Sequence, residues 1–305
     1  MISPSQRIKE LAVEAGFDLC GITDTQIVPE AVEHYKKWIQ SGYHADMHYL
    51  ENIERRTNPK QVLTSARSVI MLAINYYSYK LPEDESYKIA RYARGRDYHK
   101  VIEKKLKHFT LLLEGEFPKE EFRSYVDYGP FSERTYAQKA GIGFIGKNGN
   151  IITKEFGSWV LLSEVLTSMT LEYDIPATSL CGSCVKCMSA CPTQAFVEEK
   201  ILDSNKCIAY QTIENKTESI APNVEEKNTQ WAFGCDICQE VCPFNNKLRN
   251  KETVHADLAP RYVSFSNQQQ LASPEIFLET FQGTPIMRAK FQGIKRNIES
   301  CDKNR

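Results

Sequence analysis

Apolar residues recur at helical spacing between Ser5 and Ala15, at Ile8, Leu11, Ala12 and Ala15, and Gly16 closes the run. The stretch FDLCGIT then has the character of a short strand, and residues 30 to 42, ended by Gly42, return to helix. The longest continuous apolar run, VIMLAINYY (Val69 to Tyr77), is too short to cross a bilayer and predicts a buried strand. Tyr98 to Leu113 predicts a long amphipathic helix, with Val101, Ile102, Leu106, Phe109 and Leu113 on its core side. Phe122 to Val126 predicts a strand, followed by the turn DYGP and a helix from about Ser132 to Ala140. Asn150 to Thr153 and Ser158 to Thr167 predict paired strands around a KEFG turn. Helices and strands are mixed without regular βαβ alternation, which predicts an α+β fold.

Near Thr170 the pattern changes. Cysteines become dense up to about Asn250, and helical periodicity becomes short-range. Beyond that lies a polar segment with two short helical patterns, Ser273 to Phe281 and Pro285 to Ile298. The organisation expected is therefore 1–169, 170–250 and 251–305. A chain of 305 residues is long enough for two domains, or for one core with an insertion. Its net charge of -1 excludes a uniformly basic nucleic-acid binder but leaves room for a local basic face. MISPSQRIKELAVEAG is polar and helical, unlike a secretory signal, so a cytoplasmic protein with no membrane partner is expected. In a reducing compartment clustered cysteines are metal ligands or catalytic groups more often than disulfides.

Of the ten cysteines, eight fall into one array. CGSCVKCMSACP (Cys181, Cys184, Cys187, Cys191, Pro192) is the C-x2-C-x2-C-x3-C-P run of bacterial ferredoxins, in which the fourth cysteine ligates the other cluster. FGCDICQEVCPF repeats the offsets at Cys235, Cys238 and Cys242, but Ala232 stands where the first copy has Cys181. The exchange rule gives Cys181, Cys184, Cys187 and Cys242 to one 4Fe–4S cluster, and Cys191, Cys235 and Cys238 to a second. Cys207, between the motifs, is the candidate for the vacancy. Zinc or free thiols are the alternatives, but tetrahedral zinc favours well-separated C-x2-C pairs and gives no reason for two C-x3-C-P endings. Cys20 is expected to be a buried small hydrophobe and Cys301 an exposed thiol.

Outside the array the signals are weaker. GIGFIG (Gly141 to Gly146) matches G-x-G-x-x-G, yet it follows the helical stretch ERTYAQKA, so Gly141 reads as a helix C-cap rather than a dinucleotide turn. In GKNGN, Lys147 and Asn148 could meet an anionic or amide-rich cofactor, or could simply form a turn before a strand. Asp127 ends a strand ahead of a Gly-Pro turn, where an aspartate is a pocket acid or, more commonly, a turn or helix cap. RYARGRDYHKVIEKKLKHF (Arg91 to Phe109) interleaves basic and aromatic residues. It suits either a solvated helix face or contact with nucleic acid.

RTNP (Arg56 to Pro59), IARYARGRDYHKVI, VDYGPFSER, KAGIGFIGKNGNII, GSWVLLSEVLT and the cysteine series with CIAYQTIE, in order over most of residues 1 to 250, resemble the epoxyqueuosine reductases. The resemblance implies a cobalamin-binding catalytic α+β domain, a ferredoxin-like two-cluster module and a short helical segment. It implies cobalamin and two 4Fe–4S clusters as cofactors, an external low-potential electron donor, and tRNA carrying epoxyqueuosine as substrate. Carried over by motif, Asp127 would be the proton donor, with a pKa raised by desolvation, and Cys207 the last ligand of the second cluster. Arg56, Tyr92, Asp127, Lys147, Asn148, Gly157 and Ser158 would line the corrinoid, and Ser132, Glu133 and Arg134 would contact tRNA. DMHYLE (Asp46 to Glu51) lacks the glycine of D-x-H-x-x-G, which favours a corrinoid without protein histidine on cobalt. Longer relatives carry a C-terminal helical-repeat domain that this sequence does not extend into, so its tRNA grip would be weaker or differently placed. A reductive dehalogenase acting on a small organohalide is the alternative; the basic helix and the lack of a twin-arginine signal speak against it.

Overall fold

The apolar run at Val69 to Tyr77 lies at the centre of the structure, a computed structural model describing residues 2–79, 86–246, 251–261 and 271–304. The first part of the chain forms α1 (Pro4–Glu14), β1 (Leu19–Asp24), α2 (Pro29–Gln40), α3 (Ile53–Thr57), β2 (Ser68–Asn75) and β3 (Lys88–Ile89). Then come α4 (Tyr98–Glu116), β4 (Phe122–Tyr125), α5 (Glu133–Lys139), β5 (Phe144–Ile145), β6 (Ile151–Ile152) and β7 (Val160–Thr167). β1, β2, β7 and β4 make a four-stranded sheet in that order, antiparallel throughout.

Every residue of β2 is buried because both faces of the sheet are covered. Ile70, Leu72 and Ile74 pack on Ile8 and Leu11 of α1 and on Ile102, Leu106 and Phe109 of α4. Val69, Met71 and Ala73 point the other way, onto Tyr136, Ala137 and Ala140 of α5. A strand buried on one face alternates; this one has no polar face to show. The expected α+β class is what the chain adopts.

The strands expected around KEFG do not form a hairpin. Only Thr153 and Gly157 bridge there, while β6 pairs with β5 and β7 joins the central sheet. β7 is eight residues long, and partners on both sides outweigh one short neighbour.

The cysteine-rich part adds α6 (Lys186–Ser189), β8 (Phe196–Glu198), β9 (Ile201–Leu202), α7 (Ile208–Ile213), α8 (Pro222–Glu225), β10 (Trp231–Phe233) and α9 (Ile237–Glu240). The last segment contributes α10 (Pro274–Phe281) and α11 (Lys290–Lys303). Between them Pro285–Ala289 is a 3-10 turn, and Lys290, at φ 59°, breaks the continuity of the expected Pro285–Ile298 helix.

The three segments share cores. β3 pairs in parallel with β10, and Tyr87, Ile89 and Ala93 pack with Ala232, Phe233, Phe277, Phe281, Ile294 and Ile298. Residues 251–258 return to the first segment: Thr253 N–H donates to Tyr77 O at 2.7 Å, and His255 meets Asp18 at 2.8 Å. Cys301, on α11, is fully buried in the core, not the exposed thiol expected, because α11 closes over β10 rather than trailing in solvent. Cys20, expected to be buried, is half-buried against the core, and desolvation pushes its thiol up to about 12. Among the described residues no helix is long and apolar enough to cross a membrane.

Candidate active site and cysteine cavities

Asp127 follows β4 in a tight turn, with Tyr128 N–H donating to Val126 O at 2.5 Å and Asp127 itself at φ 54°. Aspartate is among the few non-glycine residues that tolerate this region, at a cost of about 1–3 kcal/mol. Something must hold the turn. Asp127 N–H donates to Glu133 Oε1 at 2.8 Å, at the start of α5.

The carboxylate has two donors. Tyr98 Oη donates to Oδ2 at 2.6 Å and His99 Nε2 lies 2.9 Å from the same oxygen. His99 Nδ1 lies 2.7 Å from Asp97 Oδ1, the residue that caps α4. The rings of Tyr98, His99 and Tyr128 stack in series at 4.0 and 4.3 Å, leaving the outer face of Tyr128 exposed.

These contacts overturn the expected raised pKa of Asp127. Burial does push its carboxyl up, but the hydrogen bonds from His99 and Tyr98 outweigh it and hold the group below the usual carboxylate range. Burial opposes charge on His99, yet the Asp127 and Asp97 carboxylates push it up to about 9. These shifts favour a carboxylate–imidazolium pair at neutral pH.

Two open cavities of about 890 and 670 Å³ meet at this point. Arg56, Tyr92, Tyr98 and Asp127 line both. The larger continues past Arg55, His99, Tyr128, Tyr210 and Arg288, and the smaller past Ser132, Arg134, Asn148, Ser158 and Gln239.

Behind them are two small cavities of about 210 and 240 Å³. Cys181, Cys184, Cys187 and Cys242 line the first; Cys191, Cys207, Cys235 and Cys238 line the second. Cys207 caps the N-terminus of α7, where the Ala209 and Tyr210 N–H groups face its sulfur. Ala232 lies inside β10, wholly buried, and its carbonyl accepts Asn297 Nδ2 at 2.8 Å from α11. The position that breaks the motif is thus part of a core strand, turned toward the last helix.

A family model described as epoxyqueuosine reductase QueG, DUF1730 matches residues 56–128, and one for a 4Fe-4S double cluster binding domain matches 180–245. An epoxyqueuosine reductase of Synechocystis sp. is 47% identical over 89% of this chain and 95% of its own. Another, of Cellulophaga algicola, is 37% identical over 97% of each chain. The chain belongs to the epoxyqueuosine reductase family. A crystal structure of an epoxyqueuosine reductase with an epoxyqueuosine-modified tRNA-Tyr stem loop superposes with TM-score 0.87 at 29% identity, covering 98% of this chain and 80% of that one. A structure of epoxyqueuosine reductase from Bacillus subtilis, described with its catalytic aspartate loop swung out of the active site, superposes with TM-score 0.86 at 29% identity, covering 98% of this chain and 80% of that one.

As a member of the epoxyqueuosine reductase family the chain is an oxidoreductase with a double-cluster 4Fe–4S domain. Its expected site residues are not all in one place. Arg56, Tyr92, Asp127, Asn148 and Ser158 line the large cavities, but Lys147 pairs with Glu199 at 2.7 Å and lines the first cysteine cavity instead. Gly157 lines neither large cavity: a Cβ there would meet Asn245 Oδ1 at 1.9 Å, so it is a close-packing glycine against the cluster module. Glu133 lines the smaller large cavity, but its carboxyl is engaged by Asp127 N–H rather than offered to a ligand in solvent.

The basic stretch is partly consumed by the fold. Arg91 donates to Ser78 O and lies over Tyr77 and Trp159, Arg94 donates to Ile89 O, and Arg96 pairs with Asp257. Lys100, Lys104 and Lys107 remain exposed along α4. His99, hidden inside that stretch, escaped sequence reasoning as an active-site residue. Its i+1 neighbour relation to Tyr98 and the cap at Asp97 were legible, but not the approach of Asp127.

Proposed function

We propose that this protein reduces epoxyqueuosine to queuosine at the wobble position of tRNA, with Asp127 delivering the proton, cobalamin in the large cavity and one 4Fe–4S cluster on each set of four cysteines. The observation that carries the reading is adjacency. Asn148 lines both cysteine cavities and the 670 Å³ cavity, and Cys207 lines the second cysteine cavity and the 890 Å³ cavity.

The residues present fit the groups the family implies. Four cysteines converge on each of the two small cavities, the donor set that a 4Fe–4S cluster takes. Tyr76, Tyr92, Asn148, Ser158 and Gln239 offer the mix of aromatic, amide and hydroxyl groups that suits an amide-fringed corrin ring. His48 is turned to Glu51 and lines neither large cavity, and His99 is held by two carboxylates, so neither is offered to cobalt. When bound, the clusters and corrinoid supply low-potential electrons from an external donor and the nucleophilic, redox-active metal.

The chain supplies the protons. Opening an epoxide and losing its oxygen as water leaves an alkene, and consumes two electrons and two protons. Asp127 passes both protons in turn to the departing oxygen, taking each from His99, which is reprotonated from solvent, and Asp97 stabilises the charge on His99. Arg55, Arg134 and Arg288 at the cavity walls, with Ser132 and the exposed lysines of α4, would hold the anticodon backbone. Because the raised pKa of His99 keeps it charged, activity is expected to persist through neutral pH and fall as pH rises through about 9. His99→Gln is expected to cut turnover at pH 7.5 about ten-fold or more and to abolish that alkaline limb, as read from pH–rate profiles. An unchanged profile would remove His99 from the proton path.

The decisive experiment is nucleoside analysis. Anaerobically reconstituted protein, given a low-potential reductant and tRNA carrying epoxyqueuosine, is expected to yield queuosine. Fully loaded protein that leaves epoxyqueuosine intact would overturn the reading.

A further inference from the structure

Behind the Asp127 turn is a second carboxylic acid whose place in the middle of a sheet has no explanation in packing. Glu164 sits on β7, opposite Tyr125 of β4 and Met71 of β2, and is 0% exposed. Among the described residues no N–H or hydroxyl group reaches either of its oxygens. Its polar neighbour is the carboxyl of Glu133, near enough for the two groups to titrate as a pair. A fully buried carboxyl beside a half-buried one is not ionised together with it, so the pair keeps a proton.

The turn is moulded on this pair. Glu133 Oε1 accepts the Asp127 N–H at 2.8 Å, and Asp127 is the residue at φ 54°. Gly129 closes over Glu164 so tightly that a Cβ there would lie 2.9 Å from Glu164 Oε1 and 2.7 Å from Tyr125 Cβ.

We infer that Glu133 and Glu164 are positioning residues: the proton they share lets Glu133 act as a fixed acceptor that holds the strained Asp127 turn in the cavity. Glu164, as the neutral acid, donates to Glu133. Glu133 then presents its acceptor oxygen to the Asp127 backbone. Burial raises both carboxyls; the charge of Asp127 adds to it at Glu133, which is pushed up to about 7, and the charge of Glu133 adds to it at Glu164, which is pushed well above the ordinary range, so a proton stays in the pair at neutral pH. The charged groups facing the pair are Asp127 from the turn and Arg134 from α5; β2 contributes only Met71 and β4 Tyr125. Losing the shared proton would set two carboxylates against each other beside the Asp127 carboxylate, and would release the turn.

The inference rests on Asp127 as the proton-delivering group, and its test separates the two. Glu164→Leu removes the donor but fills the site with apolar volume, and an uncharged core residue favours stability over a buried acid. Its melting temperature is expected to stay level or rise, with full iron and cobalamin, while kcat falls about ten-fold to a hundred-fold and KM for tRNA is unchanged. Glu164→Gln keeps an N–H donor toward Glu133 and is expected to restore most of the lost turnover. Hydrogen exchange over residues 126–131 is expected to speed up in Glu164→Leu and in Gly129→Ala, and to match wild type in Glu164→Gln. Exchange is read without turnover, so it tests the clamp even if the wild type converts no epoxyqueuosine. Glu164→Leu with wild-type exchange, or with a lowered melting temperature and lost cofactors, would overturn the inference.

Discussion

Asp127→Asn is expected to lower turnover of epoxyqueuosine by about a hundred-fold to ten-thousand-fold, the span typical of losing a positioned acid–base group. The substitution is well isolated. Asparagine tolerates φ 54° as aspartate does, so the turn and its N–H to Glu133 survive. The amide oxygen can still accept from Tyr98 Oη, now 2.6 Å from Oδ2. What disappears is the negative charge that keeps His99 protonated, and the oxygen able to carry the proton onward. Iron content and the cobalamin absorption spectrum are therefore expected to match wild type. A variant within ten-fold of wild-type turnover would sink the assignment of Asp127.

The second large effect is expected at Cys207. Cys207→Ser replaces a soft thiolate with a hard, poorly ionised oxygen at the edge of the second cysteine cavity. Iron content is expected to fall to about half, the loss of one 4Fe–4S cluster of two, and turnover to drop below detection. Cobalamin binding is expected to persist, because Cys207 forms only part of the wall of the 890 Å³ cavity. Cys301→Ser is the control. Cys301 lies on the core face of α11, with Asn228 Nδ2 at 3.8 Å, and iron content there is expected to be unchanged. A full iron complement in Cys207→Ser would move the second cluster to other ligands.

Much of this site could be read along the chain, for identifiable reasons. Cluster ligands come from short loops with fixed offsets, so Cys181, Cys184, Cys187 and Cys191 announce themselves without any fold. The exchange of Cys191 and Cys242 follows from the same offsets. Helices with one apolar stripe, such as α1 and α4, were equally legible, because their period is local. The errors share a cause as well. Lys147 was expected at the corrinoid, yet it pairs with Glu199 from fifty-two residues further on, and nothing near Lys147 announces that contact. Cys301 was expected in solvent as a thiol beyond the last helical pattern, but α11 runs through it and packs on β10, which is supplied by the cysteine module. The KEFG strands were paired by proximity in sequence, whereas β7 found β2 and β4.

By itself the sequence determined the chemistry available: two sets of four thiols, an aspartate before a Gly-Pro turn, and a chain that folds as α+β. Spacing and periodicity are properties of a chain's near neighbours, and they survive without coordinates. Only the tertiary structure decided the protonation of that aspartate. Its carboxylate lies where α4 brings Tyr98 and His99 and where α5 and β7 bring Glu133 and Glu164, residues up to thirty-seven positions away. Hydrogen bonds and burial act through space over a few ångströms, and the balance between them reversed the direction expected for Asp127.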